Sequence, residues 1–158
     1  AVFADVATLR NGGMVDDYFI IHLLKPSKAP NIRITLKASY LMCEEEPRFV
    51  LHGTEGSYVK YGLDRQEADL TKCLLPDHSH WGEEDEDDWG VLHTNKEEHI
   101  IREKYPTLPG NYAVFYENIY KHIYQGEILQ SDAREVVGVI RVIEAAKESS
   151  QTQSVVSL

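Results

Sequence analysis

An α+β architecture, a mostly antiparallel sheet with helices on one face and its other face open, is predicted by three observations. Strand-like segments come first along the 158 residues and amphipathic helices come last. The connections between successive strands are short, whereas parallel pairing needs a long crossover. The third observation is residues 16–24, where Phe19, Ile21 and Leu23 alternate with Tyr18, Ile20 and Leu24. Both sides of that strand ask for cover, and helices on one side supply half of it. The length and a hydrophobic fraction of 42% allow a sizeable core without disulfides or metal.

Each element has its own justification. Residues 2–10 read as a strand, Asn11-Gly12-Gly13 as a turn, and residues 16–24 as the second strand. A polar, proline-bearing turn at 25–30 precedes residues 32–42, where Ile32, Ile34, Leu36, Ala38 and Tyr40 alternate with Arg33, Thr35, Lys37 and Ser39. Residues 49–53 and 57–61 are expected to extend the same sheet. Asp64 begins a helix, with Glu67 three places on as the partner of a capping box. Residues 71–88 are irregular and expected to form a loop anchored by Leu74, Leu75 and Trp81. Residues 90–94 and 99–104 then form a hairpin around Asn95-Lys96-Glu97-Glu98.

Two helices follow. Tyr112, Phe115, Tyr116, Ile119 and Ile123 share a face of the first, which starts at Gly110 or Asn111 and stops at Gly126. These aromatic residues read as core. The second is capped by Ser131 or Asp132, with Ala133, Val136, Val137, Ile140 and Ile143 as its buried stripe. Residues 153–158 add a last edge strand. No internal repeat, low-complexity linker or domain boundary interrupts residues 1–158, which read as a single domain.

A net charge of -10 argues against a nucleic-acid partner, whose phosphates require clustered Lys and Arg. Much of the excess lies in the run 83–88, Glu-Glu-Asp-Glu-Asp-Asp, and such blocks usually stay solvated and mutually repelling. Cys43 and Cys73 are the only thiols, and no secretory signal or spanning apolar stretch is visible, so a cytoplasmic location without membrane contact is expected.

Three segments carry a family resemblance. His52-Gly-Thr-Glu-Gly-Ser-Tyr-Val-Lys-Tyr-Gly-Leu-Asp-Arg-Gln-Glu67 resembles a segment of the C-terminal domain of the Gfo/Idh/MocA oxidoreductases. Trp81-Gly82-Glu83-Glu84 with Trp89-Gly90-Val91-Leu92 is similar to the family's second stretch. Leu108-Pro109-Gly110-Asn111-Tyr112 with Phe115-Tyr116 is similar to a helix start found in the same order. The resemblance implies a two-domain, NAD- or NADP-dependent enzyme acting on a sugar or polyol. Its N-terminal Rossmann domain, its E-K-P lysine motif and its D-x-x-x-H motif find no match in these residues. The chain is therefore expected to be the C-terminal substrate-binding and dimerisation domain, without catalytic or cofactor-binding residues of its own and inactive alone. Homodimerisation through the open sheet face is implied with it. The other reading is a self-associating interaction domain with no catalytic role.

For the substrate, the resemblance points to Asn111 and Tyr112, then Trp81, near a cleft between domains; hydroxyl and amide groups suit hydroxylated ligands. Asn111 also has a simpler role as a helix cap. Cys73, Asp77, His78 and His80 lie close in sequence but match no common zinc spacing, so no metal site is expected. The acidic run lacks the pattern of a calcium loop. Gly53 and Gly56 beside Lys60 suit turn geometry better than anion binding, and His22 and His52 read as structural histidines.

Overall fold

The computed structural model describes residues 1–25, 29–96 and 99–158. The expected turn at 25–30 and the tip of the expected hairpin at Glu97-Glu98 therefore fall largely outside the described residues. The chain divides into two compact units, Ala1–Cys43 with Ser131–Leu158, and Glu44–Gln130.

The first unit holds β1 (Val2–Ala7), β2 (Tyr18–Leu24) and β3 (Arg33–Ser39), an antiparallel sheet in the order β1-β2-β3. Its register pairs Val2 with Leu23, Ala4 with Ile21 and Val6 with Phe19, so these side chains share one face. The long helix α3 (Ala133–Thr152) packs there, starting at Asp132, whose carboxylate accepts from the Arg134 amide at 2.9 Å. The core consists of Val2, Ala4, Ile21, Ala145 and Ala146, flanked by Val6, Phe19, Leu23, Val142 and Val156.

The expected stripe of α3 is corrected by this packing. Val136, Val137, Ile140 and Ile143 are 45 to 54% exposed. The buried side is Ala145, Ala146 and Ser149, with Val142 packed beside them. Small side chains let the helix backbone approach β1 closely enough for hydrogen bonds. Ser149 Oγ accepts from the Ala4 amide at 3.0 Å, and Ser150 Oγ from the Val6 amide at 2.9 Å. Both bonds serve a strand edge that no other strand covers. Beyond α3, the expected edge strand shrinks to one bridge, in which Val2 and Val156 exchange amide bonds of 2.8 and 2.9 Å.

The opposite sheet face carries Phe3 and Asp5, then Tyr18, Ile20, His22 and Leu24, then Arg33, Thr35 and Lys37. The apolar residues there are interleaved with polar ones. His22 stacks on Phe3 and its Nδ1 meets Thr35 Oγ1 at 3.1 Å, a satisfied cross-strand position. One buried carboxylate organises the start of this unit. Asp17 accepts from the amides of Leu9 at 2.7 Å and Arg10 at 3.1 Å, and from Arg10 Nε at 2.8 Å. These bonds hold its acid form well below the ordinary carboxylate range, the Leu9 amide contributing most.

In the second unit β4 (Phe49–His52) and β5 (Gly56–Lys60) do not extend the first sheet. They pair with β6 (Gly90–Lys96) and β7 (His99–Tyr105) as an antiparallel sheet in the order β4-β5-β6-β7. Alternation within a strand specifies its two faces and leaves its partner open. Between β5 and β6 lie α1 (Gln66–Thr71) and a short 3-10 turn, Glu86–Asp88. After β7 comes α2 (Tyr112–Gln125), closed by Gly126 in the left-handed conformation.

The aromatic face of α2 is not core. Phe115, Tyr116, Tyr120, Ile123 and Tyr124 are all exposed, and the buried residue of the helix is Asn118. Its carboxamide donates to the Ile128 carbonyl at 3.1 Å and accepts from the Gln130 amide at 2.9 Å, tying α2 to the segment that follows it. Periodicity identifies the apolar side of a helix, not what covers it.

Candidate functional site

The centre of the second unit is a buried side chain that composition and spacing do not advertise. Gln66, 1% exposed, opens α1. Its Oε1 accepts from the Trp81 indole nitrogen at 2.8 Å and from the Tyr112 amide at 2.7 Å. Its Nε2 donates to both Asp64 oxygens at 3.1 Å. One neutral amide thus joins all three segments that the sequence singled out, because it accepts at one end and donates at the other. Two glycines allow the close approach. A Cβ on Gly82, at φ +72°, would strike the Gly110 carbonyl, and one on Gly110 would strike Asp64 and Gln66.

The expected capping box at Asp64 takes another form. Asp64 Oδ1 accepts from the Gln66 amide at 2.9 Å, but the returning partner is the Gln66 side chain rather than Glu67. The residue at the helix cap itself is Arg65, which makes no side-chain capping bond. Its guanidinium instead meets Asp85 at 2.7 Å and Asp69 at 3.8 Å, which raises its pKa, the Asp85 hydrogen bond acting most strongly.

The acidic run is pinned more than expected. Lys60 Nζ, nearly buried, donates to Glu84 Oε2 and to the Asp88 carbonyl, both at 2.7 Å. Lys104 Nζ donates to the carbonyls of Glu86 at 2.9 Å and Asp87 at 2.8 Å. Three cations contributed by other elements therefore gather the segment into a turn while Asp85 and Asp87 stay in water. The sequence spacing contains no sign of these pairings, which arise from strand register.

Two hollows flank the turn Gly62-Leu63-Asp64. The smaller, about 300 Å³, is bounded by Arg48 and Phe49, by Lys60, and by Gly82, Thr107 and Leu108. The larger, about 630 Å³, opens between Glu45, Tyr61, Arg65 and Trp89. The Thr107 hydroxyl oxygen is, among the described residues, the one buried side-chain polar atom without a hydrogen-bond partner.

The structure brings the three expected substrate residues to one node. Trp81 and Tyr112 are both bound to Gln66, and Tyr112 keeps 41% of its surface exposed. Asn111 caps α2, its Oδ1 accepting from the Ala113 amide at 3.0 Å. Gly53 and Gly56 make a turn closed by a 2.8 Å amide bond, and His52 Nδ1 meets Ser57 Oγ at 2.8 Å across the strand pair. Cys73 is exposed beyond α1 and His80 pairs with Glu83 at 2.8 Å. Among the described residues no three His, Cys, Asp or Glu side chains converge as a metal site would require, and no helix is long and apolar enough to cross a membrane.

Comparison with known proteins places this fold. The sequence profile described as "Oxidoreductase family, C-terminal alpha/beta domain" matches residues 1–158, both units included. Scyllo-inositol 2-dehydrogenase (NADP(+)) IolW of Bacillus subtilis (strain 168) is 32% identical over 158 residues, which are 100% of this chain and 43% of that protein. The crystal structure of an assigned oxidoreductase from Bacteroides fragilis NCTC 9343 superposes with a TM-score of 0.93 at 57% identity, covering 99% of this chain and 46% of that one. An oxidoreductase from Bacillus cereus matches with a TM-score of 0.80 at 30% identity, covering 93% of this chain and 43% of its own. The chain thus spans less than half the length of these relatives. On profile, sequence and fold together, it belongs to the Gfo/Idh/MocA oxidoreductase family and corresponds to that family's C-terminal alpha/beta domain.

Proposed function

We propose that this chain supplies the substrate cleft and the dimer interface of an NAD- or NADP-dependent oxidoreductase acting on a polyol or sugar, and transfers no hydride alone. The observation that carries the reading is whole-chain kinship with a scyllo-inositol dehydrogenase that uses NADP+. Asn111, Tyr112 and Trp81 would face the substrate, with Gln66 fixing the last two. A ring of hydroxyls asks for such donors and acceptors, while cofactor and catalytic groups belong to sequence outside these residues. The open face of β1, β2 and β3, with Phe3, Tyr18, Ile20 and Leu24, is the surface offered to a second copy, its polar neighbours setting register. Exposed, unbridged Cys43 and Cys73 suit a reducing cytoplasm.

The test is made on the longer protein. The sequence upstream of Ala1 should encode a Rossmann segment, a lysine motif and a D-x-x-x-H helix. The purified protein should then oxidise scyllo-inositol with NAD+ or NADP+, and Tyr112→Ala should raise KM about tenfold, the equivalent of one or two lost hydrogen bonds. The exposed aromatic face of α2 favours the other reading, a self-associating interaction domain. That reading gains if no nucleotide-binding segment precedes Ala1 and no cofactor turns over.

A further inference from the structure

We infer that the smaller hollow of the second unit is a binding site for a neutral, polyhydroxylated ligand, formed by this chain alone and keyed by the Thr107 hydroxyl. Its volume of about 300 Å³ stands at the lower end of small-molecule sites, enough for a six-carbon ring with its hydroxyls. This deepens the function proposed above and rests on it only for the choice of probe.

The lining selects the chemistry. Thr107 Oγ1 borders the hollow and is buried with no partner, a state that costs about 1–3 kcal/mol until something satisfies it. A ligand hydroxyl does so in either direction, since both groups donate and accept. The charges on the wall balance, with Arg48 and Lys60 against Asp64 and Glu84. Lys60 and Glu84 also neutralise each other across 2.7 Å, so neither an anion nor a cation gains a net field. Each carboxylate nevertheless keeps lone pairs beyond those its protein partners occupy, and these suit neighbouring hydroxyls of one ring. Phe49, Leu63 and Leu108 supply the apolar wall against which the C–H face of such a ring rests. Phe49 is 54% exposed and so within a ligand's reach.

The experiment is an amide-resolved NMR titration of the 158-residue chain with scyllo-inositol, without nicotinamide, and with sodium sulfate as the charged comparison. Saturable shifts at Asp64, Thr107 and Gly110 are expected with the polyol and none there with sulfate. Thr107→Val, which keeps the shape and removes the hydroxyl, should weaken binding about tenfold, and Thr107→Ser should retain it. Where Thr107→Val fails to fold, Phe49→Ala takes its place and should weaken binding several-fold. Absence of polyol shifts at these amides, equal response to sulfate, or unchanged affinity in the variants would overturn the site. Polyol binding here without polyol turnover by the longer protein would sink the proposed function and leave this site standing. Turnover without binding here would do the reverse.

Discussion

Each unit is organised by one buried polar side chain, and the two differ in charge. Asp17 gathers the amides of Leu9 and Arg10 and the Arg10 guanidinium, so every partner is a donor. Gln66 gathers two donors at its oxygen and a carboxylate at its nitrogen. A carboxylate can tie only donors together, which suits one local loop and its arginine. A carboxamide can tie donors to acceptors, which suits three segments with unlike needs. The neutral hub also escapes the cost of burying a charge and holds its geometry at any pH.

The largest expected effect comes from breaking the neutral hub. Gln66→Leu keeps the volume and strands the Trp81 indole N–H and the Tyr112 amide, at about 1–3 kcal/mol each, so a loss of about 2–4 kcal/mol is expected. Both tryptophans, Trp81 and Trp89, lie in this unit, so urea unfolding followed by their fluorescence reads it directly. Gln66→Glu supplies an acceptor again but sets a second carboxylate against Asp64. It should therefore be weak at neutral pH and recover in mild acid, when one of the two carboxyls takes a proton. Equal stability of Gln66→Leu and the parent would show that the hub is incidental.

The charged hub should fail in the opposite direction of pH. An ordinary aspartate titrates near 3.8, and Asp17 is held below that by the Leu9 amide first and Arg10 second. A depressed acid contributes stability that is complete above the ordinary pKa and is lost as pH falls through the lower folded value. The first unit should therefore loosen below about pH 4, seen as faster amide exchange in β1 and β2. Asp17→Asn should be weaker at neutral pH and flatter across the acid range. An unaltered acid limb in that variant would assign the pH sensitivity elsewhere.

The hubs also mark where reading a sequence succeeds and fails. Strand alternation located β1 to β5, and the caps at Asn111, Gly126 and Asp132 fell where local chemistry requires them, since each depends on neighbours in the chain. The three motifs identified the family before any geometry, yet not the residue that unites them. Gln66 looks like any polar helix residue until residues 15 and 46 places away bring an indole and an amide to it. The pinning of the acidic run fails to show for the same reason, because Lys60 reaches Glu84 and Asp88 only once β5 is placed. Strand partners escaped as well, since β4 shows two faces and no hint that β5 rather than β3 lies beside it.

The smallest expected effect tests the stripe that hydrophobic periodicity put in the core of α3. Ile140 is 49% exposed on the helix, whereas Ala146, on the packed side, is 2% exposed. Ile140→Ser leaves no cavity in this chain and strands no partner, so its stability should change by less than about 0.5 kcal/mol. Setting Ile140→Ser beside Gln66→Leu separates what a pattern suggests from what a buried hydrogen bond does, because the apolar residue is removed cheaply and the polar one is not. A loss of more than about 1 kcal/mol in Ile140→Ser would mean that this face is covered in solution. Concentration dependence then identifies the cover: if the loss vanishes on dilution, a second copy of the chain supplies it.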